Sequence, residues 1–351
     1  MRYGSVCSGI EAATAAWHDL GWKPSFFSEI EAFPRAILKH HYPDTPLHGD
    51  FTTIKGNDYE PIELLVGGTP CQSFSIAGLR GGLADDRGNL ALEFLRLADR
   101  TRPRWLVWEN VPGVLSSNGG RDFGSILGGM GELGYGWAYR VLDAQYFGVA
   151  QRRRRVFVVG YLGDWRHASA VLFERHSLQG HSAPRREKGE RPAPTIAGCA
   201  NGGGANGPGR DVDSVESLIP FISHTLNAHG GSCGRLDFES ETFGADRGMD
   251  VVAFQSSQSG VREVKTHATL DANNGSRRHN GVSTMSGVRR LTPRECERLQ
   301  GFRDDFSAIP WRGKPAAECP DGPRYKALGN SMAVPVMRWI GQRIQMVDNI
   351  S

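Results

Sequence analysis

Glu63-Leu64-Leu65-Val66-Gly67-Gly68-Thr69-Pro70-Cys71-Gln72-Ser73-Phe74-Ser75 is the stretch on which the fold turns. Its first four residues form a short apolar run that reads as a buried strand. The segment from Ile76 to Gly88 is Gly-rich and charged, without apolar periodicity, and reads as a loop. Cys71 therefore stands where a strand ends and a loop begins. Free cysteine is normally among the most buried residue types, so this is an unusual place for a packing thiol. At the carboxyl end of a strand, open to a crevice, a thiol can be ionised by a nearby arginine or helix N-terminus and attack an electrophile. The competing reading is a half-buried packing cysteine beside a turn, and the rest of the chain decides between them.

Outward from that stretch, short apolar runs alternate with helix-like segments as far as Leu162, the pattern of an α/β fold with a Rossmann-like, doubly wound sheet. Tyr3 to Val6 reads as a first strand, followed by a helix from Ala12 to Leu20 that Gly21 ends. Ser25 to Ser28 is a second strand with Glu29 at its end, and a helix with Pro34 in its first turn runs to His41. Asp50 ends a third, short strand. Asn89 to Arg100 has apolar residues at helical spacing, Trp105 to Trp108 is a further strand, and Arg155 to Leu162 closes the region. Gly9, Glu29, Asp50, Cys71 and Glu109 each follow a predicted strand. In an open parallel sheet those carboxyl ends share one edge, where ligands bind, so residues a hundred positions apart line one crevice.

One side of that crevice has the character of a cofactor site. A strand, a turn at Gly9 and a helix are followed, twenty residues past Gly9, by Glu29, the offset at which a carboxylate holds ribose hydroxyls. The turn Ser5-Val6-Cys7-Ser8-Gly9-Ile10-Glu11 is not the three-glycine dinucleotide motif. A negative Glu11 there would repel a pyrophosphate and tolerate the ammonium and sulfonium of S-adenosyl-L-methionine.

With 351 residues, the chain is expected to hold two domains or one domain with a large insertion. It has no apolar run long enough to span a membrane and no leader, so a cytoplasmic protein without a membrane partner is expected. Its six cysteines are scattered, with no spacing that suggests a metal site or disulfide framework. The net charge of +3 says little, but its distribution is uneven. Ten Arg or Lys stand against four Asp or Glu from Gln151 to Arg191, a density suited to phosphates, whereas three Arg face eight acids from Asn201 to Asp250. A uniformly basic surface is excluded.

Pro70-Cys71-Gln72, Glu109-Asn110-Val111, Gln151-Arg152-Arg153-Arg154-Arg155 and Gly329-Asn330-Ser331-Met332, in this order, resemble the motifs of the cytosine-C5 DNA methyltransferases. The resemblance covers residues 1–162 and 288–345. The wording of the first turn is similar to phage and prophage members, with Cys7 where the family commonly has Phe and Glu11 where it has Gly. The resemblance implies a methyltransferase that uses S-adenosyl-L-methionine and everts its target cytosine from duplex DNA, with Cys71 as nucleophile and Glu109 holding the base edge. Arg153 and Arg155 would fix the cytosine and organise the site. It further implies a cofactor pocket of Cys7, Ser8, Gly9, Ile10, Glu11, Glu29, Ile30, Asp50, Phe51, Pro70, Leu90, Asn330, Ser331 and Met332. The bound DNA places the enzyme at the nucleoid.

After Gly163 the composition shifts: residues 198–209 hold six glycines and helical periodicity disappears until Pro293. The expected organisation is a catalytic domain over 1–163, a smaller, mostly β or irregular target-recognition insertion over 164–287, and a returning segment over 288–351. Arg80 and Arg87, in the loop after Cys71, are expected to close on the everted base and its phosphates. Asn273, Arg277 and Arg278 are expected as DNA readers, because Arg suits guanine and Asn adenine. Thr292-Pro293-Arg294-Glu295 reads as a capping box before a short helix. A monomer is expected. Three rivals share parts of this reading: a tRNA cytosine methyltransferase, a catalytically silent DNA-binding module, and a Rossmann redox enzyme, which the missing glycines disfavour.

Overall fold

The computed structural model describes residues 1–70, 90–173, 252–257, 260–263, 278–284 and 287–350. The chain divides into two compact units, one of Met1–Leu178, Thr269–Asn273 and Thr292–Ser351, the other of Gln179–Ala268 and Asn274–Leu291.

The first unit is built on a seven-stranded sheet in the order β3-β2-β1-β4-β5-β7-β6. Its strands are β1 (Arg2–Val6), β2 (Lys23–Ser28), β3 (Leu47–His48), β4 (Leu64–Gly67), β5 (Trp105–Asn110), β6 (Tyr135–Asp143) and β7 (Arg154–Leu162). The first five are parallel, and β7 runs antiparallel between β5 and β6. Leu64, Leu65 and Val66 of β4 are all buried, as a strand covered on both faces requires.

Register is the consequential feature. Val6 pairs with Ser28 and Gly67, Gly67 with Trp108, and Ser28 with His48. The last residues of four parallel strands therefore stand in one row with Trp108, and the residues just beyond each strand reach the same edge.

Helices α1 (Ala12–Trp17), α2 (Ala32–His41), α3 (Leu90–Thr101), α4 (Arg121–Glu132) and α5 (Trp165–Leu172) connect or follow these strands. One apolar layer joins Phe94, Leu95 and Ala98 of α3 and Ile126 and Met130 of α4 to Val6, Leu65, Leu106, Val156 and Val158 of the sheet. Neighbouring strand residues point to the opposite face, where Tyr3 meets Trp17 of α1 edge-on at 5.1 Å. The chain returns to that face after the insertion, through α6 (Pro293–Gln300), α7 (Asp321–Asn330) and α8 (Val334–Asp348). Trp17 Nε1 donates to the Met337 carbonyl of α8 at 2.7 Å. α5 packs on β6 and α8. Thr292 caps α6 in a full capping box with Glu295. Buried Glu297 of α6 accepts from the Ser307 backbone at 2.9 Å and Arg324 of α7 at 3.1 Å.

β6 and α4 are not apparent in the apolar pattern. β6 is an edge strand with only part of its length buried, so it lacks an apolar run, and α4 contains four glycines, which weaken helix propensity. In the second unit, β8 (Val252–Ser257), β9 (Gly260–Glu263), β10 (Arg278–Thr284) and β11 (Gly287–Arg290) form an antiparallel sheet in the order β11-β10-β8-β9. Among the described residues no helix is long and apolar enough to cross a membrane.

A Cβ on Gly341 of α8 would stand 2.4 Å from the Trp17 ring. Gly341→Ala is expected to lower stability by about 1–3 kcal/mol through this overpacking, as read by denaturant unfolding.

Candidate active site

Three positions with left-handed backbone shape the turn after β1: Cys7 (φ 49°), Gly9 (φ 55°) and Glu11 (φ 66°). Glycine adopts this conformation freely, whereas Cys7 and Glu11 hold it against steric cost. The turn is pinned to β2, with the Ser8 N–H donating to the Ser28 carbonyl at 3.0 Å and the Gly9 N–H to Glu29 Oε2 at 2.8 Å. Glu29 Oε1 accepts from the N–H groups of Ile30 and Glu31, both at 2.8 Å. The carboxylate is thereby fixed at the end of β2, and Oε2 keeps acceptor capacity for a hydroxyl. Beside it the Ile30 side chain is 73 % exposed, an apolar platform at the rim.

A narrow cleft follows the row of strand ends. Cys7, Ser8, Gly9, Glu11, Gly68, Glu109, Asn330, Ser331 and Met332 line it. Other expected cofactor residues sit elsewhere. Ile10 and Phe51 are buried in the interior, where Phe51 joins the apolar layer, and Leu90 packs against that layer from the start of α3. Asp50 accepts from the Thr52 N–H at 3.0 Å, and Pro70 is exposed.

Glu11 corrects one expectation. Its carboxyl is buried, and burial pushes it up to about 8, against the hydrogen bonds from Ser5 and Thr14 and with a further upward push from Glu29. Burial therefore favours its protonated form over the charged form inferred from sequence.

On the other side of the cleft, the chain leaving β4 is clamped to β5. Thr69 Oγ1 accepts from Trp108 Nε1 and the Thr69 carbonyl from Asn110 Nδ2, both at 2.9 Å. A Cβ on Gly68 would lie 3.0 Å from Glu109 Oε2 and 3.0 Å from the Met332 methyl, so no larger residue fits without displacement. The chain is thus held beside Glu109 up to Pro70. Cys71 itself lies outside the described residues, as do Arg80, Arg87, Asn273 and Arg277; Arg278 is described only as the first residue of β10.

Glu109 is not after β5 but within it, because β7 prolongs the ladder through Glu109–Phe157 and Asn110–Val156. Arg155 Nε stands 3.1 Å from Glu109 Oε1. Burial raises the carboxyl above its ordinary range, opposed by Arg155 and then Arg153. Arg153 is itself buried, its Nη2 donating to the Gly329 carbonyl at 3.2 Å and its N–H to Asp143 at 2.9 Å. Its Nε and Nη1 are buried without a hydrogen-bond partner among the described residues, which is costly unless other groups supply acceptors. Glu109, both arginines and the Gly329 segment are therefore brought together from three distant parts of the chain. Sequence reading did not assign Gly68, Thr69 or Trp108. The paired glycines at the end of β4, Gly67 and Gly68, were the available signal for a close backbone approach.

The family model for C-5 cytosine-specific DNA methylases matches residues 1–346. The chain belongs to that family. As a member of these DNA cytosine-C5 methyltransferases it is similar to a protein of Escherichia phage P1 named as a DNA N-6-adenine-methyltransferase, 35 % identical across 98 % of this chain. It spans only 61 % of that protein. It is 30 % identical to the type II methyltransferase M.Bsp6I of Bacillus sp. (strain RFL6), over 98 % of both chains. Among solved structures, S. pombe Dnmt2 methyltransferase shares the fold at 17 % identity, with a TM-score of 0.60 over 99 % of each chain. Among the described residues no group of acidic, His or Cys side chains is arranged to hold a metal.

Two outcomes are expected of this methyltransferase. Asn110→Ala removes the bond to the Thr69 carbonyl and lets the chain before Cys71 drift, so kcat should fall about 100-fold in steady-state assays. The Glu11 carboxyl has an ordinary value of 4.5 and is raised to about 8 in the fold, so its stabilising contribution is complete below 4.5 and lost as pH rises towards 8. Thermal unfolding of unliganded protein between about pH 5 and about pH 8 should show this loss, and Glu11→Gln should flatten it.

Proposed function

We propose that this chain transfers a methyl group from S-adenosyl-L-methionine to C5 of a cytosine everted from a specific sequence in duplex DNA, through a transient bond between Cys71 and C6. The observation that carries the reading is the clamp that holds the chain before Cys71 against Glu109, a buried carboxyl raised by its burial and flanked by Arg155.

Cytosine C5 is a weak nucleophile, and its ring must be activated before it can take a methyl group. The thiolate of Cys71 adds to C6, and the displaced electron pair is delocalised as an enamine whose carbon terminus is C5. Glu109, protonated or taking up a proton as charge develops, hydrogen-bonds N3 and the exocyclic amine and stabilises that state. Bound S-adenosyl-L-methionine supplies a methyl carbon made electrophilic by its sulfonium. Loss of the C5 proton then returns an electron pair to the ring, the Cys71–C6 bond breaks, and the C5–C6 double bond re-forms. Arg153 and Arg155 hold Glu109 and the pyrimidine; the unpartnered nitrogens of Arg153 suit the carbonyl oxygen of a ring. Glu29 and Ile30 take the ribose and adenine of the cofactor, with Asn330 to Met332 completing the wall.

A base stacked in a helix cannot reach this cleft, so the target is flipped out. Arg80 and Arg87 close over it. Asn273, Arg277 and Arg278 read flanking bases from the target-recognition region, 164–287, between the catalytic segments 1–163 and 288–351. The enzyme works as a monomer at the nucleoid.

Bisulfite sequencing of host and plasmid DNA after expression reports activity and recognition sequence together. Cys71→Ser and Glu109→Gln should each abolish new methylation, and duplex carrying 5-fluorocytosine should trap the wild type covalently but not Cys71→Ser. Methyl transfer to tRNA with none to DNA, or methylation surviving in Cys71→Ser, would refute the proposal.

A further inference from the structure

Glu11 is a buried carboxyl in the wall of the cofactor cleft, in the left-handed conformation that glycine would hold without strain. The groups that face it are few. From β1 come Tyr3 and Ser5, whose Oγ donates to Glu11 Oε2 at 3.1 Å; from α1 comes Thr14; Glu29 stands at the end of β2 and Tyr42 after α2. None is cationic. Tyr3 shares a 2.6 Å hydrogen bond with Thr14, and its own burial holds it neutral. A buried carboxyl must keep its proton or meet a positive charge. Glycine would relieve the backbone, and glutamine would keep the Ser5 bond without any charge to desolvate. A carboxyl has a use here if it ionises when something enters the cleft.

We propose that Glu11 is the counter-ion for the positively charged methionine end of the cofactor: it gives up its proton as the cofactor enters, and so favours the methyl donor over its demethylated product. The proposal rests on the use of S-adenosyl-L-methionine under Proposed function. The donor carries a sulfonium in addition to its ammonium, whereas the product's thioether is neutral, so an ionised Glu11 attracts the donor by one extra charge. Relative to the opposite wall, where Glu109 already has Arg155, the cofactor supplies the missing cation on this one. Burial pushes the carboxyl up to about 8, which favours its protonated form until a cation comes within reach.

Isothermal titration of the full chain with S-adenosyl-L-methionine and with S-adenosylhomocysteine, in buffers of different ionisation enthalpy near neutral pH, tests this. Wild type should release close to one more proton per donor bound than Glu11→Gln, and the difference should vanish above about pH 9. The preference for donor over product should drop about tenfold in Glu11→Gln. Glu11→Asp, which keeps the charge, should retain the proton release. Equal proton release in wild type and Glu11→Gln, or an unchanged preference, would overturn the inference while leaving the methyltransferase reading intact. If Glu11→Gln does not fold, absence of buffer-dependent heat in wild type overturns it, and a release that declines above about pH 8 supports it. Failure of wild type to bind either ligand would instead strike at the cofactor assignment.

Discussion

The alignment of parallel strand ends is the constraint from which the site arises. Val6, Ser28, Gly67 and Trp108 are locked in one row by the ladders of β1, β2, β4 and β5. The candidate site residues then lie one to three residues further on, at Cys7 to Gly9, at Glu29, at Gly68 to Pro70 and at Glu109. A slip of one residue in any pairing would turn a functional side chain away from the cleft, because successive residues of a strand face opposite sides. The backbone also runs very close here: Gly68 leaves no room for a side chain between Glu109 and Met332. The Thr69 clamp turns this closeness into a defined distance.

Three carboxyls serve the cleft, and their surroundings separate them. Glu29 is held in place by three backbone N–H groups that donate to its two oxygens. Glu109 is raised by burial but balanced by Arg155 and Arg153, which leaves it able to exchange a proton as charge develops next to it. Glu11 is raised with no cation among the groups that face it. One residue type thus meets three different surroundings: backbone donors at Glu29, arginines at Glu109 and hydroxyls at Glu11.

Arg153 shows how far apart the contributing segments are. Its backbone is tied to Asp143 at the end of β6, and its guanidinium to Gly329 at the end of α7. The motif that contains it and the motif that contains Asn330 are separated by the whole second unit in sequence, yet their meeting makes one wall. α8 then closes the unit by covering Trp17.

Much of this was legible in the chain. Apolar runs bounded by glycine and charge marked β1, β2, β4 and β5, the capping box marked α6, and the shared position after strands singled out Glu29 and Glu109. β6 and α4 were not legible, since an edge strand needs no apolar run and a glycine-rich helix is held by packing against the sheet rather than by propensity. By itself the sequence determined which residue types stand at strand ends, because periodicity and turn chemistry are local. Only the tertiary structure decided that Glu109 sits inside a prolonged β5, that Phe51 and Ile10 belong to the interior, and that the Glu11 carboxyl is buried and pushed upward, because ladder length, burial and the neighbours of a charge are set by residues distant in sequence.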